Sequence, residues 1–127
     1  MTNSLLRAVF GEGNESSPFL NLESTSMLGL TGMRHRLLLP KDDGVLFDFG
    51  VEADHAFWMD SVKIPLDIIF ISRAGKVVHI HENAAPNSKN SITSGIHVST
   101  VIEANGGWYE ANGVTVGTFV QFQGLGI

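Results

Sequence analysis

Residues 57–71 read FWMDSVKIPLDIIFI, and ten of the fifteen side chains are apolar. Pro65 lacks an amide donor for a ladder and marks a break. Leu66–Ile71 beyond it is apolar at both parities, the pattern of a strand covered on two faces. Asp67 sits inside that run. A buried carboxylate costs several kcal/mol unless it is paired or hydrogen-bonded, so Asp67 is either held by the fold or placed to hold something else.

Outward from this strand, β signals dominate the chain. Ser72–Gly75 is a short glycine-containing turn, which predicts a hairpin into Lys76–His81. Upstream, Pro18–Glu23 alternates, Val45–Phe49 follows the turn-rich Leu39–Gly44, and Ala56–Met59 reads as a further strand. Ser24-Thr25-Ser26 offers helix-capping chemistry before Met27, Leu28 and Leu30, while Gly29 and Gly32 hold that helix to one or two turns. Downstream, residues 83–98 read as a long polar loop, Thr100–Ala104 as a strand, and Gly106–Gly113 as a single helical turn ended by Asn-Gly. Val114–Phe122 closes with one or two strands around Gly117. The expected architecture is mainly β: a small antiparallel barrel or sandwich of six to eight strands with one or two short helices. Residues 1–16 form a flexible or edge N-terminal segment, 17–122 the single domain, and 123–127 a C-terminal tail.

Composition narrows the partners. A chain of 127 residues is one domain that buries roughly two-thirds of its unfolded surface. It has no cysteine, which excludes disulfides and thiolate metal sites. Eight basic against thirteen acidic residues give a net charge of −5 with no basic run, so neither nucleic acid nor an anionic membrane is an expected partner. No apolar stretch approaches a membrane span, and MTNSLLRAVFGEGNE lacks the pattern of a signal peptide. A soluble, cytoplasmic chain without a cofactor is the default expectation.

A resemblance runs through the same residues. Gly32-x-x-x-Arg36, Leu39-Pro40, Gly44-Val45-Leu46-Phe47, Phe57-Trp58-Met59 and Ile64-Pro65-Leu66-Asp67-Ile68-Ile69-Phe70 occur in the order seen in domain-of-unknown-function family 192. Gly75-Lys76-Val77-Val78, Ala85-Pro86, Val101-Ile102-Glu103 and Gly107 continue it, and the likeness spans roughly residues 17–122. The resemblance implies a small, mostly antiparallel β-barrel-like domain with a short helix. Many members carry secretion signals. This chain departs at Ser61-Val62, where the family usually has Asn-Thr, and at Val45, where it often has Met. The family has no assigned activity, so the resemblance implies a fold and no reaction.

The chemistry-bearing residues support two classes of function. The first is a binding or interaction module, with Arg36, Trp58, Asp60, Ser61, Asp67 and Glu103 forming an end that accepts a small polar ligand or a protein segment. Against it stands an architectural reading, which the sequence favours for Asp67: a carboxylate accepting backbone N–H groups, or bracing Arg36, to lock a loop. Trp58 reads as core or cavity wall, whereas Trp108 reads equally as packing or as a stacking platform. The second class is a metal-assisted hydrolase on His79 and His81, which lie two apart and share a strand face. Glu103 or Asp60 could supply a third ligand from a neighbouring strand, but no HExxH-type or cysteine-bearing pattern accompanies the pair, and no nucleophile motif such as Gly-x-Ser-x-Gly is present.

Overall fold

The computed structural model describes residues 5–25 and 32–125. Seven strands form one sheet: β1 Leu5–Phe10, β2 Phe19–Thr25, β3 Asp43–Ala53, β4 Leu66–Ile71, β5 Val77–Ala84, β6 Val98–Asn105 and β7 Val120–Leu125. Their spatial order is β5-β4-β6-β3-β2-β1-β7. One short helix, α1 Trp108–Ala111, follows β6 and is the sole helix among the described residues. The expected single turn ended by Asn-Gly is this helix, with Asn112 at its C-cap.

The sheet is mixed and curls into a half-barrel, which corrects the expectation of a purely antiparallel barrel or sandwich. Five of its neighbour pairs are antiparallel, but β2 and β3 run parallel, from Asn21 beside Asp43 to Thr25 beside Phe47. Parallel neighbours need a long crossover rather than a hairpin, and the chain between Thr25 and Asp43 is long enough for one. The two ends of the sheet meet at one corner. There Val77 N–H donates to Thr118 O, Gly117 N–H to Val77 O and Val120 N–H to Gly75 O, at 2.9, 2.8 and 2.7 Å. Among the described residues the contact between these edges amounts to one bridge, Lys76 with Phe119, rather than a ladder.

Side-chain parity divides the sheet into two cores. Ile69 and Ile71 of β4 join Phe10, Leu20, Leu46, Val77, Ile102, Trp108 and Val120 in one cluster. Val77 and Val120 come from opposite edges of the sheet, so this cluster fills the concave side of the curl. Leu66, Ile68 and Phe70 face the other way, among Val45, Phe47, Met59, Val62, Ile92, Val98 and Val101. Loop residues cover that convex face. All six residues of β4 are therefore buried, as the apolar residues at both of its parities predict.

Two strand assignments change. Residues 56–59 do not form a ladder strand; Phe57 makes one bridge with Ile92, and Met59 N–H donates to Ser88 O at 3.1 Å. The aromatic run there reflects packing onto the convex core, because strand preference is largely a measure of half-buried packing. Conversely, the segment read as flexible or edge contains β1, which pairs with both β2 and β7. Arg7 interrupts the apolar pattern of β1, yet its guanidinium lies 4.2 Å from the Phe19 ring centre and its Nε donates to Asn21 Oδ1 at 3.1 Å. A long cationic side chain can lie over apolar surface in this way. β7 runs to Leu125, with Gly124 opposite Leu6. The helix expected from Ser24 to Leu30 falls largely on residues 26–31, outside the described residues.

Candidate functional site

Two buried carboxylates lie close together in the sheet ladder. Asp67 of β4 is opposite Ala104, and the next residue, Ile68, is opposite Glu103. Alternation sends them to different faces. Asp67 belongs with the concave core and Glu103 with the convex one.

Asp67 is completely buried. Its Oδ1 accepts N–H bonds from Asn83 at 2.9 Å and Gly107 at 3.0 Å, and its Oδ2 accepts one from Tyr109 at 3.0 Å. Those three amides come from the end of β5, from the turn leading into α1 and from α1 itself. Local sequence makes that arrangement accessible. Gly107 adopts φ +88, a left-handed conformation that costs glycine little, and Asn83 adopts φ +50. A side chain at Gly106 would collide with that of Asn83. Of the two architectural readings, backbone anchoring is the one observed. Arg36 instead pairs with Glu23 at 2.9 Å, with both side chains partly exposed.

Glu103 is 5% exposed, and no side-chain partner is found for it among the described residues. Burial pushes its carboxyl up from the ordinary range to about 7. It faces a cavity of about 200 Å³ shared with Phe47, Phe49, Phe57, Trp58 and Arg34. Phe47 and Phe49 follow Val45 on β3 at alternate positions, and Val45 is the residue opposite Glu103. The strand pleat thus delivers both rings to the carboxylate's face. Phe57 meets Phe47 edge-on at 5.4 Å between centres, interplanar angle 79°, and Phe49 at 5.9 Å and 65°. Trp58 is 55% exposed and forms an outer wall. Gly32 permits the close approach of the neighbouring turn, since a Cβ there would stand 2.8 Å from Phe47 Cζ.

The remaining candidates lie elsewhere. Asp60 and Ser61 occupy the tight turn from Met59 to Val62, whose Val62 N–H bonds Met59 O at 3.0 Å, and neither lines the cavity. Ser61 adopts φ +62, and its carbonyl accepts the His35 N–H at 2.8 Å. Trp108 is core: its ring tilts against Phe10 at 5.2 Å and its Nε1 donates to Asp42 Oδ1 at 3.2 Å. Tyr109 donates its hydroxyl to Glu82, a contact that raises its phenol to about 12. His79 and His81 do share a face, opposite Phe70 and Ile68. Among the described residues, no group of three or more His, Asp or Glu side chains is placed to hold a metal ion. The hydrolase alternative finds no support.

The same sequence order and the same curled sheet recur in known proteins. A family model covers residues 12–122. The chain belongs to DUF192, described as Uncharacterized ACR. Two solved structures share this family member's fold. One is a candidate transcription regulator from Sinorhizobium meliloti 1021, 30% identical with a TM-score of 0.84, matched over 100% of this chain and 98% of that one. The other is a protein of unknown function from Novosphingobium aromaticivorans DSM 12444, 27% identical with a TM-score of 0.81, over 92% of this chain and 84% of that one. No curated protein matches significantly.

Of the residues singled out by sequence, the structure brings Trp58 and Glu103 to one DUF192 cavity and leaves Arg36, Asp60, Ser61 and Asp67 off its lining. Arg34, Phe47, Phe49 and Phe57 went unselected. The alternation Val45-x-Phe47-x-Phe49 was the available signal, but it points to a site only once the register with Glu103 is known.

Proposed function

We propose that this chain is a binding module for a small polar molecule, with the Glu103 cavity as its site. One observation carries the reading: a buried carboxylate without a side-chain partner among the described residues faces an aromatic-walled cavity. Such a group costs folding free energy, and groups perturbed in this way cluster at functional sites. The volume favours a small molecule over a protein segment, being below the roughly 300–1,000 Å³ of ordinary ligand pockets.

The description of the Sinorhizobium protein raises regulation through DNA as a second reading. The net charge of −5 without a basic run gives no electrostatic footprint for a nucleic acid. Neither a nucleic acid nor a membrane surface is part of the proposal. A fragment screen followed by NMR tests it. The expected result is that fragments move the Trp58 indole and Val62 methyl resonances together, and that Glu103→Gln weakens those fragments. A screen in which no fragment perturbs either resonance would reject the module.

A further inference from the structure

We infer that the cavity takes a small organic cation, an amidinium or protonated amine carried on one flat ring, with its N–H groups on Glu103 and its ring among Phe47, Phe49, Phe57 and Trp58. The inference rests on the binding-module reading and specifies its ligand.

Three features of the cavity agree. The carboxylate is the chemical centre of the cavity floor, being 5% exposed and without a side-chain partner among the described residues. A ligand of opposite charge compensates it where a neutral one compensates it only in part. The walls are aromatic, and ring faces attract cations while disfavouring a second anion. The size fits as well. An apolar cavity of about 150 Å³ can hold benzene, so one of about 200 Å³ has room for a ring and a compact polar head.

The opposing charge is Arg34. It is exposed and makes no ion pair with Glu103, so solvent screens it, while an anion drawn to it would meet Glu103. Around the carboxylate, β3 contributes Val45 and Phe47, β4 Ile68, the turn after residue 31 Gly32 and Arg34, and residues 57–62 Phe57, Trp58 and Val62. Arg34 is the one charged side chain beside Glu103 in the cavity lining among the described residues. Cation binding therefore follows the ionisation of Glu103: affinity rises with pH through its titration and levels above it.

Benzamidinium and its neutral isostere benzamide separate the possibilities, since benzamidinium keeps its charge between pH 5.5 and 8. Titrations of the full chain by calorimetry or NMR should show benzamidinium binding at least about tenfold more tightly than benzamide at pH 8, and weakening about tenfold per pH unit below the Glu103 titration. Glu103→Gln should erase the preference. Equal binding of the two compounds, a preference that survives Glu103→Gln, or binding of neither compound overturns the cation. If Glu103→Gln failed to fold, the pH series and the isostere pair in the wild type would still decide. Benzamide binding alone, with the Trp58 indole shifted, would reject the cation and leave the module standing.

Discussion

Asp67 and Glu103 are buried acids on neighbouring strands, adjacent in register, and their surroundings could hardly differ more. Three backbone amides surround Asp67 and tie β4 to the end of β5 and to the start of α1. Glu103 faces a cavity, and its carboxyl is raised to about 7 by burial. Burial alone therefore does not sort a carboxylate into architecture or function. What sorts it is whether the fold supplies donors.

The sharpest way to break the comparison is to remove each acid. Asp67→Leu should lose about 3–5 kcal/mol, because three amides that it satisfies are left without an acceptor. Adding Arg36→Met should recover none of this, since Arg36 pairs with Glu23. Denaturant midpoints of the single and double variants check both statements, and recovery in the double would point to coupling between Asp67 and Arg36.

Glu103→Gln should do the opposite, and only above mid-acid pH. A carboxyl raised in the folded state holds its proton more tightly there than in the unfolded chain. The stability contribution is complete below about pH 4.5, falls as pH rises toward about 7, and is flat beyond. The shift from 4.5 to about 7 corresponds to roughly 3 kcal/mol. The variant should match the wild type near pH 4.5 and exceed it by up to about 3 kcal/mol at pH 8. Parallel pH profiles of the two proteins would mean that Glu103 is compensated as well as Asp67.

Smaller effects sharpen the boundary of the cavity. Gly32→Ala places a methyl at φ +47 and 2.8 Å from Phe47 Cζ. It should cost about 1–2 kcal/mol in backbone strain and weaken any cavity ligand, read by thermal unfolding and by titration. Arg36→Ala should cost less than about 1 kcal/mol, as expected of a part-exposed ion pair, and leave ligand binding unchanged.

Much of the sheet was legible in the sequence because local signals agreed with burial. Leu66–Ile71 is apolar at both parities and is covered on both faces; the Ser72–Gly75 turn closes a hairpin; Asn112-Gly113 ends α1. The misreadings have physical causes. Ala56–Met59 has strand composition, but its rings pack over the convex core and its backbone bonds to a loop. Leu5–Phe10 was hidden by Arg7, whose charge is accommodated over Phe19.

Sequence by itself determined the periodicities, and with them a mainly β domain of the DUF192 kind, the covered strand and the presence of an acid inside it. It also limited Asp67 to a few roles, because a buried charge must be satisfied. Tertiary structure decided which role holds. The parallel pairing of β2 with β3, the curl of the sheet and the register of β6 against β3 and β4 join residues far apart in the chain. That register sends Asp67 toward the amides of Asn83, Gly107 and Tyr109, and Glu103 toward Phe47, Phe57 and Trp58. The reason is strand geometry: a shift of one residue exchanges the faces of a strand, and no local signal in either segment carries that choice.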